Sequence, residues 1–117
     1  MSEQPKPPSQ AQWKRRLTAL LLELELTRRP KFGCLFTSPH CDFAVDIDLH
    51  FYPVRDSCII LGKRLIVGGQ PRYFSTHVVT LTFTGDVVAA VVQVLEAYGF
   101  PARQVLREKR LRALQAE

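Results

Sequence analysis

Asp42-Phe43-Ala44-Val45-Asp46-Ile47-Asp48-Leu49-His50-Phe51-Tyr52 is the stretch that decides the fold class. Phe43, Val45, Ile47, Leu49 and Phe51 alternate with Asp42, Ala44, Asp46, Asp48, His50 and Tyr52, the period-two pattern of a strand with one buried face and one wet face. Around it, residues 32–84 are rich in β-branched and aromatic side chains and are punctuated by Ser38-Pro39, Pro53, Asp56, Gly62, Gly68-Gly69 and Pro71. That composition predicts several short strands joined by turns. Residues 76–84 alternate again, with His77, Val79, Leu81 and Phe83 on one side and Thr80, Thr82 and Thr84 on the other. The short apolar runs 58–61 and 65–67 flank Gly62-Lys63, which reads as a two-residue hairpin turn.

Outward from the sheet the period changes. In residues 10–29, Trp13, Leu17, Leu20, Leu21 and Leu24 fall on one helical face, with Ser9 as N-cap and Pro30 as terminator. Glu23-Leu24-Glu25-Leu26-Thr27 alternates with period two, so an extended last turn is the alternative there. A second helix opens at Thr84-Gly85-Asp86 with Asp86 as N-cap, and closes near Tyr98, where Gly99 suits a left-handed stop and Pro101 follows. Residues 102–115 are charged and weakly amphipathic, a third helix that is loosely docked through Val105, Leu106, Leu111 and Leu114. The order predicts an α+β two-layer sandwich: an N-terminal helix, a mostly antiparallel sheet of four or five strands, and two C-terminal helices, all packed on one sheet face.

A chain of 117 residues supports one core. The expected organisation is a disordered, proline-rich leader over residues 1–9 and a single domain over 10–117. No apolar run approaches the roughly 18 residues of a membrane span, and the leader lacks the apolar centre of a secretory signal, so a cytoplasmic protein is expected. Cys34, Cys41 and Cys58 are sparse and odd in number, which suits reduced thiols better than a disulfide framework.

Three chemistries compete for the function. Asp46, Asp48 and His50 alternate on one strand face roughly 7 Å apart, a spacing at which oxygen ligands and an imidazole can hold a divalent cation. Val45-Asp46-Ile47-Asp48-Leu49 resembles the paired-aspartate strand of the nucleotidyltransferase superfamily, and the resemblance implies metal-dependent phosphoryl or nucleotidyl transfer using Asp46 and Asp48. That family's pattern also has a Gly-Ser pair before the strand and a third carboxylate on a later strand; Thr37-Ser38 and residues 76–84 supply neither. Cys34, His40 and Cys41, with Cys58 or His77, are the right ligand types for zinc, but adjacent His40-Cys41 departs from the paired spacing of structural sites. Leu61-Gly62-Lys63 and Val67-Gly68-Gly69 lack the elements of a phosphate loop, and no cysteine or serine sits in a nucleophile elbow.

Charge carries the leading expectation. The net charge of +5 is concentrated at the two ends of the chain, in Lys14, Arg15, Arg16, Arg28 and Arg29 and again in Arg103, Arg107, Lys109 and Arg110, while the middle is acidic. If the terminal helices pack side by side, these residues form a surface for an acidic partner, either nucleic acid or an acidic protein, with Trp13 or Tyr73 available for stacking. No helix-turn-helix pattern accompanies them. The expected protein is a small non-enzymatic binding or regulatory module without a cofactor, and a protein partner or a homodimer formed through the final helix is a further expectation.

Overall fold

The computed structural model describes residues 9–31, 33–50, 57–83 and 86–115. The expected leader, apart from Ser9, lies outside them, as do Phe51, Tyr52, Thr84 and Gly85. Helix α1, Gln10–Glu23, begins at a capping box: the Gln12 amide donates to Ser9 Oγ (3.2 Å), and the Ser9 amide donates to Gln12 Oε1 (2.9 Å). Two N–H groups without an intrahelical acceptor are thereby satisfied, a contribution of about 1 kcal/mol.

The helix ends well before Pro30, which corrects the expected span to residue 29. Glu25 takes a left-handed backbone (φ 56°), its amide bonds the Leu22 carbonyl (3.1 Å), and the Leu26 amide reaches back to the Leu21 carbonyl (2.9 Å). This is a Schellman motif, and it buries Leu24 and Leu26 while turning the chain into strand β1, Thr27–Arg28. The period-two alternation at residues 23–27 was thus the mark of the helix end. Helix α2, Val87–Ala97, begins at Asp86, whose carboxylate accepts from the Ala89 amide (3.1 Å). It closes by the same device with glycine in the strained place: Gly99 (φ 97°) bonds Glu96, and the buried Phe100 bonds Leu95. Helix α3, Ala102–Gln115, has the predicted bounds.

The remaining strands are β2, Leu35–Thr37; β3, Phe43–His50; β4, Cys58–Val67; β5, Gln70–Pro71; and β6, Thr76–Thr82. All pairings are antiparallel, in the order β1-β2-β3-β4, with β6 and β5 sharing the far side of β4. The expected hairpin at Gly62-Lys63 does not form. Strand β4 runs through both residues, and the turn comes later, at Gly68 (φ 59°) and Gly69 (φ 79°). Gly62 is required for a different reason: a Cβ there would stand 2.7 Å from the Ser75 Cβ. Opposite it the ladder bulges. Leu61 pairs with Val79 and Lys63 with Thr76, so His77 and Val78 face Gly62 alone, with His77 in a left-handed conformation (φ 53°). The predicted alternation of β6 fails at this point, leaving His77 exposed and out of line with Val79 and Leu81. Among the described residues strand β6 forms an outer edge, and it carries no charged residue and no proline.

The three helices cover the sheet face that bears Phe43, Val45, Ile47, Ile59 and Leu61. Trp13, Leu17, Leu20 and Leu24 meet Val87, Val91 and Leu95 there, with Tyr98, Phe100, Ala102 and Val105 closing the core. Lys63, on the same face, reaches out of the sheet to donate to the Tyr98 carbonyl (2.7 Å), with its ammonium 4.5 Å from the Phe43 ring centroid. No helix among the described residues is long and apolar enough to cross a membrane. The loose docking expected of α3 is seen only at its far end, since Ala102 and Val105 are buried whereas Leu111 and Leu114 are exposed.

The contact at Gly62 sets a test. Gly62→Ala forces Ser75 away from β4 and lowers the unfolding free energy by about 1–3 kcal/mol, the usual range for overpacking. Urea denaturation of the variant reads this directly; an unchanged midpoint would show that Ser75 does not rest on the strand.

Candidate binding surface

The sequence alternation sets Asp46 and Asp48 together on a wet strand face, and the structure separates their circumstances. Asp46 is buried, at 8% exposure, as is Ala44 on the same face, which corrects the expectation of a solvated side. Strand pairing sets Asp46 opposite Gly62. Arg64, two residues farther along β4 and therefore on the same face, donates from Nε to Asp46 Oδ2 (2.6 Å), and Ser75 Oγ crosses the bare Gly62 to donate to the same oxygen. Arg64 also donates to Ser75 Oγ (3.3 Å) and to the Arg72 carbonyl (3.3 Å), so one guanidinium ties β3, β4 and the segment after β5 together. Asp48 is half-exposed and pairs with His50 Nε2 (2.8 Å).

These partners occupy the proposed metal ligands with contacts of their own. Among the described residues no three His, Cys, Asp or Glu side chains converge as a metal site. The thiols of the zinc expectation are likewise dispersed: Cys34 Sγ lies 3.8 Å from Asp46 Oδ1, Cys41 Sγ lies 3.2 Å from the Phe43 carbonyl, and His40 Nε2 lies 3.2 Å from Glu25 Oε2. All three cysteines are free. Burial, then the charges of Asp46 and Asp48, push the Cys34 thiol above its ordinary pKa; burial does the same to Cys41, and alone to the Tyr98 phenol.

The basic residues named from the sequence differ in their circumstances. Lys109 is structural: its ammonium donates to the Leu22 carbonyl at the end of α1 (3.3 Å) and lies 3.6 Å from Glu25, thereby fastening α3 to the left-handed turn. Arg16 lies over the Trp13 ring (5.3 Å), and Trp13 itself is buried, so the stacking role expected for it is not open. Tyr73 remains available, exposed and edge-on to Phe74. Arg15, Arg29, Arg103, Arg107 and Arg110 stand exposed, with no carboxylate within ion-pair distance among the described residues.

Lys14 and Arg28 come together on a feature the sequence did not reveal. A groove of about 850 Å³ runs between α1 and the β1-β2-β3 end of the sheet. Leu21, Leu22, Leu26, Phe36, Ile47 and Leu49 make it apolar; Lys14, Thr18, Thr27, Arg28, Cys34 and Asp48 supply its polar groups. Arg28 is held in place by a bond from Nε to the Gly33 carbonyl (2.6 Å). A smaller hollow of about 440 Å³ lies between β6 and the end of α2, lined by Lys63, His77, Val79, Val94 and Tyr98.

Two outcomes follow from this geometry. Arg64→Met leaves the Asp46 carboxylate buried without its cation and costs about 2–4 kcal/mol of stability; adding Asp46→Asn restores part of that loss, and a double variant no more stable than Arg64→Met would exclude the pair as the stabilising unit. The raised thiol and phenol values favour the protonated forms in the folded state. Their stabilising effect is therefore complete below the unfolded values and fades as the unfolded chain ionises, above about pH 8.5. Denaturation midpoints should fall through that range, and Cys34→Ser with Cys41→Ser should flatten the fall.

Comparison with known proteins finds no matching family model, no matching curated protein and no matching solved structure.

Proposed function

We propose that this protein is a non-enzymatic binding or regulatory module whose exposed cations recognise an acidic partner. One asymmetry supports this reading: most of the described acids are engaged within the fold, whereas most of the described lysines and arginines meet no carboxylate. Glu25 pairs with His40 and Lys109, Asp46 with Arg64, and Asp48 with His50; Asp86 caps α2, Glu96 accepts from the Arg103 amide, and Glu108 accepts from Gln104. Among the described residues only Arg64 and Lys109, of all the lysines and arginines, reach a carboxylate. Glu25 and Asp46 are thus paired with cations of the fold, the other carboxylates named are hydrogen-bonded within it, and the positive field of the uncommitted side chains projects into solvent, where it attracts an anionic surface.

The basic residues on α3 provide the test, with Lys109 left intact because of its place in the fold. Arg103→Ala, Arg107→Ala and Arg110→Ala together should weaken binding to a polyanion, a single-stranded oligonucleotide or poly-glutamate, and should reduce the slope of log affinity against log salt by about one for each lost contact. Fluorescence anisotropy over a salt series measures both. Equal affinity and slope for the variant and the parent would remove α3 from the binding surface.

A further inference from the structure

We propose that the groove between α1 and the β1-β2-β3 end of the sheet holds an acidic, amphipathic segment of a partner protein. The proposal rests on the acidic-partner reading and narrows it to one class of occupant. Three features of the groove act together. Its floor is apolar, and Leu22, 70% exposed, stands at its wall with nothing described covering it. Two cations, Lys14 from the helix and Arg28 from the edge strand, carry positive charge into it. Asp48, whose carboxylate pairs with His50, stands at its margin on β3.

Each feature selects against the competing anion. A nucleic-acid strand presents phosphate along its whole length, so it would set negative charge against Asp48 and hydrated backbone against Leu22 and Phe36. Base stacking would need exposed aromatic faces, and the groove's aromatic residue, Phe36, is half-buried in the sheet. A protein segment with leucine-like and carboxylate side chains satisfies all three features: apolar side chains cover Leu22 and Leu49, carboxylates meet Lys14 and Arg28, and N–H groups can donate to Asp48. Arg28 needs no ordering to take part, because its bond to Gly33 already fixes the side chain while leaving its terminal nitrogens for a carboxylate.

The probe is a fluorescein-labelled pool of 12-residue peptides assembled from Leu, Ala, Ser and Glu, compared with the same pool made with Lys in place of Glu and with a single-stranded oligonucleotide. The glutamate pool should bind the full chain and the lysine pool should not. Leu22→Ser, at an exposed position that does not support the core, should weaken peptide binding about tenfold, the loss expected for one leucine contact, and Lys14→Ala should weaken it several-fold. Bound peptide should also slow alkylation of Cys34, which lies in the groove, as read by mass spectrometry of the fragment that contains it. If peptide binds but Leu22→Ser and Cys34 protection show no effect, the groove is overturned while the acidic-partner reading stands. If the oligonucleotide binds and the glutamate pool does not, the occupant is overturned in favour of nucleic acid. If no anionic probe binds, both readings fall.

Discussion

The carboxylate of Asp46 fixes the sheet. A buried charge is tolerated only with a partner and hydrogen bonds, and both come from one register of β3 on β4. A shift by one residue would move Arg64 to the opposite face, leave Asp46 unpaired and set a side chain where Ser75 needs the bare Gly62. The same cluster holds the chain after β5, because Ser75 and the Arg72 carbonyl both bond Arg64. Register, glycine and loop therefore depend on one another, and the helices pack against a surface that this polar cluster, on the reverse side, keeps in alignment.

What was legible in the sequence was whatever local chemistry dictates. Ser9 and Asp86 capped their helices, Gly99 stopped α2, and the alternation through Phe43, Val45 and Ile47 marked the strand whose face became the core. The misreadings share a cause: a residue whose role is set by something distant in sequence. Gly62 suggested a turn because glycine commonly makes one, whereas its reason is Ser75 on another segment. Asp46 looked solvated because an acid on an amphipathic strand usually is, and its guanidinium partner lies eighteen residues on. The sequence offers two ends for α1, Pro30 and the alternation at residues 23–27, and does not decide between them because the left-handed residue is glutamate, a poor intrinsic choice that Lys109 and His40 support through its carboxylate.

The candidate surface divides in the same way. Exposed arginines at the chain ends could be named from composition, but their relation to one another could not. The groove is made where Lys14, from the first turns of α1, meets Arg28, beyond the helix's reversed end, and that meeting depends on the Schellman turn. Had α1 continued to Pro30, Arg28 would have been one more base on a helix. Lys109 is the converse case, a base that composition assigns to a binding surface and that packing commits to the end of α1.

Strand β6 lies at the edge of the sheet without the charges or proline that usually keep one edge from pairing with another, and a bulge at His77 and Val78 is its main irregularity. Copies of a chain with net charge +5 repel, so the positive surface elsewhere guards this edge at a distance. Dissolved salt shortens the reach of that repulsion to about 8 Å at physiological strength. Ionic strength therefore acts in opposite senses on the two exposed regions of the molecule, weakening the attraction of the cations for any anion while removing the barrier that keeps bare edges apart.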